Sequence, residues 1–240
     1  MLRFLHRKAL RVLLISGVAL GVGGCAIPVA WSTAPIFPLA HTQEEGAILY
    51  GGLRVGQPTQ EHATERFLLT AHAGLLGQWK LARLDFTFWG GQAQYAFPER
   101  VDSTTGHVKV RVRSTALHLQ GNFALAPQLN EKTRMEVGVG LGAGSEKWFL
   151  SPRYPISVET PPTVIPTFSS FVGLSYSFRP TETVGLRWHF LGAGTGLSIA
   201  YRLKHFQLTG ATQLYPLLLT SQNAGYGNWT LTLTGYLPLR

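Results

Sequence analysis

Hydrophobic and polar residues alternate along nearly the whole chain from residue 47 to the C-terminus. Because successive side chains of a β-strand point to opposite faces, this period of two predicts strands with one apolar and one polar face. The last segment shows it clearly, since Trp229, Leu231 and Leu233 share one face and alternate with threonines on the other. About ten strands are predicted in this way. They span residues 47–56, 66–77, 80–95, 107–123, 133–148, 168–178, 183–192, 196–203, 205–215 and 228–239.

The connections between these strands alternate in length. Those at 57–65, 96–106, 149–167 and 216–227 are long, whereas 78–79, 179–182 and residue 204 are short; 193–195 and 124–132 are exceptions. Membrane-spanning barrels have short turns on the periplasmic side and longer loops outside. An even number of strands with this alternation places both termini on the side of the short turns. The segment 228–239 must then pair with 47–56, so that neither strand leaves an open edge.

The composition favours an apolar exterior. Charged residues make up 14% of the chain, well below the roughly 25% of soluble domains, and there are 27 glycines. We therefore predict an all-β fold, an antiparallel up-and-down transmembrane β-barrel of about ten strands, with eight to twelve possible. The alternative is a soluble periplasmic β-barrel or sandwich, tethered by lipid, that uses its apolar face as an internal core.

Aromatic residues gather near the predicted strand ends, where membrane barrels carry interfacial girdles. On the side of the short turns these are Trp79, Phe123, Phe178, Tyr201, Phe206 and Tyr236. On the opposite side they are Trp89, Tyr95, Trp148, Phe190, Tyr215 and Trp229.

The alternation changes phase in two places. At Trp89–Gly91 the glycines favour a β-bulge. Between Val112 and Leu117 two arrangements are open for the basic run that ends at Arg113. Its side chains either turn into the lumen or, with continuous alternation, point outward above the hydrocarbon, where lipopolysaccharide phosphates could meet them.

The first 25 residues have the layout of a secretory signal, with a basic start, an apolar run and Gly23-Gly24-Cys25 at its end. This ending resembles the lipobox of bacterial lipoproteins. The resemblance implies that Cys25, the only cysteine in the chain, carries acyl chains such as palmitate and becomes the mature N-terminus. It also implies sorting to the outer membrane, because Ala26 rather than Asp follows the cysteine.

Three regions follow from these features. Residues 1–24 are expected to form the lipoprotein signal peptide, and residues 25–45 a lipidated N-terminus with a proline-rich tether. Residues 46–240 are expected to form the barrel. Four of the 21 basic residues precede Cys25, which leaves 17 against 12 acidic ones, a net charge of +5. This excess is too small and too scattered to indicate a nucleic-acid partner.

The polar faces contain charged residues that must be paired if they are buried. Strand direction predicts a lumenal network in the periplasmic half, formed by Arg83, Asp85, His118, Arg134, Glu136 and Arg202. Three more residues are expected in the outer half of the lumen: Arg54, Arg187 and His189. The same residues could instead line a narrow passive pore, in which the excess of arginine favours anions.

The sequence points to no enzyme and no cofactor. An enzyme at the outer rim, acting on lipid or peptide, would need His189 to be joined by a nucleophile and an acid, and none is predicted at its height. No group of His and Cys has metal-ligand spacing. We therefore expect a structural or surface-interaction barrel, lipid-anchored in the bacterial outer membrane, with outer-membrane lipids and possibly lipopolysaccharide as partners. Barrel-assembly and lipoprotein-sorting machinery are the other partners expected.

Overall fold

Ten long strands form one closed antiparallel barrel in the computed structural model. The structure describes residues 29, 33–58, 63, 65–96, 100–102, 106–108, 111–151, 162–191, 194–214 and 227–239. The predicted signal peptide and Cys25 lie outside these residues. The strands are β1 (Gly46–Gln57), β2 (Glu65–Gln78), β3 (Ala82–Ala96), β4 (Arg100–Asp102), β5 (Gly106–Val108), β6 (Arg111–Leu125), β7 (Gln128–Asn130), β8 (Thr133–Ser151), β9 (Thr163–Arg179), β10 (Glu182–Leu191), β11 (Gly194–Leu203), β12 (Phe206–Leu214) and β13 (Gly227–Pro238).

The barrel has an up-and-down topology. Its strands follow the order β6-β3-β2-β1-β13-β12-β11-β10-β9-β8, and β8 pairs back with β6 to close the circle. The predicted seam is confirmed, because β1 and β13 are paired from Ile48–Pro238 to Gln57–Trp229. β4 and β5 form a separate hairpin, and β7 extends the edge of β8.

The two ends of the barrel differ in their connections. At one end, the turn end, the chain reverses at residues 79–81, 126–132, 180–181 and 204–205, and β1 begins and β13 finishes there. The other end, the loop end, has the connections 58–64, 97–110, 152–162, 192–193 and 215–226. Three of these five, 97–110, 152–162 and 215–226, are longer than any connection at the turn end, in agreement with the predicted alternation; 58–64 has the same seven residues as 126–132, and 192–193 is short.

The apolar faces point outward and the polar faces point inward. Leucine, valine and aromatic side chains are exposed around the whole circumference, among them Leu53, Phe86 and Leu141. Most of the buried side chains in the lumen are polar or charged. A soluble barrel does not fit this arrangement, since it requires the apolar face to form the core. Within the described residues, no helix has the length and apolar content needed to cross a bilayer.

The register corrects the expected phase changes. β3 pairs with β2 and β6 without a shift, so the bulge predicted at Trp89–Gly91 is wrong. Trp89 and Tyr95 consequently lie in the lumen, with exposed fractions of 4% and 2%, instead of in an interfacial girdle. Tyr236 is also an interior residue, at 6%.

Continuous alternation holds in β6 as well. Arg111 and Arg113 point outward and Ser114 points inward, which is the second of the two arrangements considered. Of the other predicted girdle positions, seven are exposed: Trp79, Phe123, Phe178, Tyr201, Phe206, Phe190 and Trp229. Trp148 is instead partly buried and stacks on the lumenal Tyr95, and Tyr215 lies outside the described residues.

Candidate functional site

The lumen is filled by the chain's own N-terminal segment. Residues 33–45, here called the plug segment, precede β1; the part from Thr33 to Thr42 lies inside the barrel, where all residues but Pro35 are buried. The sequence predicts a tether at this position, and prolines do keep the segment out of regular structure. The segment differs from the predicted tether in its position, because it lies within the barrel and its backbone groups are hydrogen-bonded to the inner wall.

The wall holds the plug segment at Leu39. The Leu39 amide donates to Gln207 Oε1 at 2.8 Å and to the Tyr236 hydroxyl at 2.9 Å. Gln207 Nε2 donates to the Phe37 carbonyl at 2.5 Å, and Arg202 donates to the Leu39 carbonyl at 2.8 Å. A buried backbone that belongs to no strand needs such hydrogen-bond partners, because each unpaired amide or carbonyl lowers the stability of the fold by about 1–3 kcal/mol.

Arginine and glutamine side chains satisfy further carbonyls nearer the turn end. Arg83 donates to the Pro38 carbonyl, and Arg134 donates to the Thr42 carbonyl at 2.9 Å. Gln78 donates to the His41 carbonyl at 3.0 Å. Gln78, Arg83 and Arg134 belong to β2, β3 and β8, so side chains from three strands bind the backbone of the plug segment.

Upstream of the plug segment, Val29 lies in the loop half of the barrel. The Val29 amide donates to Glu146 Oε2 at 2.9 Å, and Ser114 donates to Glu146 Oε1 at 2.5 Å. Val29 packs in an apolar cluster that includes Tyr95 and Ile165. Val29 therefore lies in the loop half and Thr42 at the turn end, where the chain turns back into β1.

A network of charged side chains lies behind the plug segment. Glu136 accepts from Arg83 Nη1 at 3.0 Å and from Arg187 Nε at 2.7 Å. Asp85 lies 3.9 Å from Arg83 and accepts from Asn122 at 2.7 Å. All are almost fully buried, so each charge depends on its partner. The guanidinium of Arg187 lies 4.0 Å from the centre of the Phe37 ring, which ties the plug segment to this network.

The structure brings only part of the predicted network together. Arg83, Asp85 and Glu136 do meet, and Arg187, expected in the outer half, joins them. Arg202 instead pairs with Glu44 of the plug segment at 2.7 Å.

Arg134 binds backbone carbonyls of Trp79 and Thr42. His118 lies apart from the network, stacked on Trp89 at 5.2 Å and in contact with Thr167 at 2.9 Å. His118 faces the lumen as predicted, but it lies nearer the loop end than Arg83, because it pairs with Trp89 whereas Arg83 pairs with Ala124.

Arg54 and His189 occupy the remaining part of the lumen. Arg54 is 1% exposed, with its guanidinium 5.8 Å from the Trp89 ring. Among the ion pairs that the structure describes, none includes Arg54. His189 is buried and faces Gly196 and Phe171 across the ladder, neither of which supplies an acid or a nucleophile.

In the part of the chain that the structure describes, no three His, Cys, Asp or Glu side chains are grouped so that they could hold a metal ion. The sequence did not reveal Gln78, Glu44, Glu146, Gln207 and Tyr236 as partners of a lumenal peptide. One signal was available: no Asp, Glu, Lys or Arg occurs between Cys25 and Gln43, which is unusual for an exposed tether.

Comparisons with known proteins find similar solved structures, which are outer-membrane β-barrels, but they find no family for this chain. No family model matches the chain, and no curated relative matches it. The attachment invasion locus protein Ail of Yersinia pestis is similar, with 11% identity, 81% of this chain and 100% of that chain covered, and a TM-score of 0.37. The translocator domain of the autotransporter NalP from Neisseria meningitidis has 8% identity, coverage of 82% and 90%, and a TM-score of 0.44.

The toluene transporter TodX of P. putida has 7% identity, coverage of 82% and 91%, and a TM-score of 0.34. At these identities and scores, nothing about activity follows from the likeness.

Proposed function

We propose that this protein is an outer-membrane β-barrel lipoprotein of structural or surface-interaction type, closed by its own N-terminal segment. The observation that carries the proposal is the inverted surface of the barrel. Exposed apolar side chains encircle it, while the charged network and the plug segment occupy its interior. In water such an exterior would expose a continuous apolar surface, which soluble monomers do not have.

The other parts of the proposal depend on the orientation of the barrel. Short turns lie on the periplasmic side of such barrels, which puts the loop end outside the cell. Arg111 and Arg113 point outward near that end, at the level where lipopolysaccharide phosphates would be bound. The long loop-end connections are then the surface available to partners, and Cys25 carries the acyl chains.

The test is membrane extraction combined with gel electrophoresis. We expect urea and carbonate to leave the full-length protein in the membrane fraction. We also expect the unboiled protein to migrate differently from the boiled one, since a closed barrel resists detergent. Release by urea, together with equal migration of both samples, would refute the integral barrel.

A narrow passive pore for small anions is the second candidate. It is favoured by the arginines of the inner wall, which outnumber the carboxylates in contact with them: Arg54, Arg83, Arg134, Arg187 and Arg202 against Asp85, Glu136 and Glu44. Against it stands the plug segment, which occupies the same space.

Planar-bilayer recordings separate the two. The structural proposal predicts no current from the wild type and anion-selective current from a variant with Phe37 and Leu39 replaced by glycine. Replacement of the exposed Gln43 and Glu45 by glycine is the matched control and is expected to stay silent. Anion current from the wild type would favour the pore.

A further inference from the structure

The direction of the plug segment determines on which side of the membrane its upstream end emerges. Thr42 lies at the turn end, Leu39 and Phe37 lie against the wall beyond it, and Val29, whose carbonyl accepts from Thr33 at 2.9 Å, is bound by Glu146 in the loop half. The segment thus crosses most of the lumen once, antiparallel to β1. Residues that precede Val29 start from the loop half of the barrel.

Distances exclude a return to the turn end. Glu146 is thirteen residues beyond Thr133, where β8 leaves the turn end. With a rise of about 3.3 Å per residue and a tilt of about 40°, this corresponds to roughly 33 Å along the barrel axis. Cys25 is four residues before Val29, and four extended residues span at most about 14 Å.

We propose that the chain leaves the barrel through its loop end, so that the acyl chains of Cys25 are held on the side of the membrane that carries the long loops. The inference rests on the proposed lipidation of Cys25. It differs from the sequence-based expectation that both termini lie on the side of the short turns, since both Cys25 and the loop-end connections would lie at the cell surface.

The composition of the segment suits this path. It contains no charged residue between Cys25 and Gln43, so no charge has to be paired along the lumen. The route also requires no acyl chain to be pulled through a finished barrel. The barrel closes when β1 pairs with β13. If the plug segment already lies against the wall at that moment, pairing of these two strands encloses it without any threading.

The test uses a recognition sequence for a site-specific protease, inserted after Ala26 in the full-length protein. Cells are fed a labelled palmitate, and protease is added either to intact cells or after the outer membrane has been permeabilised. The label lies on the N-terminal side of the inserted site, so cleavage separates it from the barrel. The same sequence inserted at Pro180–Thr181 marks the turn end, and one inserted within 152–161 marks the loop end.

We expect protease to remove the label from the barrel in intact cells, as readily as it cuts the loop-end control. The turn-end control should be cut only after permeabilisation. Loss of label only after permeabilisation would overturn the inference and leave the lipoprotein intact. Absence of label from a barrel that still shows the heat-dependent shift would refute lipidation itself, and the inference with it.

A second measurement does not depend on the insertion. A Cβ placed on Gly185 lies 2.6 Å from Leu39 Cδ1, so the thiols of the pair L39C and G185C would lie within reach of a short bifunctional thiol cross-linker. We expect this pair to cross-link in native membranes, while either single variant does not. A pair that fails to cross-link in a folded barrel, although both thiols react with a monofunctional reagent, would show that the segment is not held against this wall, which also overturns the inference.

Discussion

Glu136 is the residue on which the charge balance of the lumen depends. It accepts hydrogen bonds from Arg83 at 3.0 Å and from Arg187 at 2.7 Å, and all three side chains are nearly excluded from solvent. Water cannot replace a lost partner at such a depth. A buried ion pair adds little net stability, but removal of one member leaves an uncompensated charge.

We therefore expect Glu136→Gln to lower the free energy of unfolding by about 3 kcal/mol. The measurement is urea-induced unfolding in lipid vesicles, followed by tryptophan fluorescence. Glu182→Gln is the matched control, because Glu182 pairs at 3.1 Å with an Arg179 side chain that is 74% exposed. A solvent-screened pair of this kind contributes at most about 1 kcal/mol. Equal losses in the two variants would contradict the buried network.

The sequence predicted which residues belong to this lumenal network better than it predicted which of them contact one another. Strand parity alone places Arg83, Asp85 and Glu136 in the lumen, since an inward position follows from the period of two. Which residues meet depends on the stagger between strands, and that is why Arg187 was expected too high and His118 too low on the wall. No local pattern encodes stagger.

The plug segment is the element that period-two reasoning could not place. It has no strand period and no helical period, so its sequence describes only an extended chain. Its position comes from wall residues far away in the sequence, such as Gln207 and Arg202. The barrel strands were predictable because the alternation of polar and apolar residues within each strand shows which side chains face the lumen and which face outward.

Gly185 provides a test of how closely the plug segment fits the wall. A Cβ at this position in β10 would approach Leu39 Cδ1 to 2.6 Å and the Phe37 ring to 3.1 Å. We expect Gly185→Val to push the segment away from the wall at a cost of about 1–3 kcal/mol. The temperature at which the folded gel band disappears is the measurement, and it should fall.

The matched control is Gly210→Val in β12, where an added Cβ meets no atom within 4 Å. This variant is expected to keep the wild-type transition. A tolerated Gly185→Val would indicate that the lumen has room beside the segment.

For the molecule as a whole, the decisive property is that most large apolar side chains lie on the barrel exterior, whereas in a soluble protein they would form the hydrophobic core. Leu233 in β13 lies between Leu53 of β1 and Leu208 of β12, and all three side chains are about half exposed. Leu233 is at the middle of its strand, and Leu237 is near the turn end. If the exterior lies in a bilayer, these two positions differ in depth.

A charge scan of β13 tests this difference. Leu233→Arg is expected to lower the free energy of unfolding in lipid vesicles by about 2–4 kcal/mol, and Leu237→Arg by at most about 1 kcal/mol. The reason is that hydrocarbon at the midplane cannot solvate a guanidinium, whereas a side chain at the rim reaches water and headgroups. Both leucines are exposed, at 55% and 64%, so a barrel in water would tolerate the two substitutions equally. Equal, small effects would therefore place the apolar band outside the membrane.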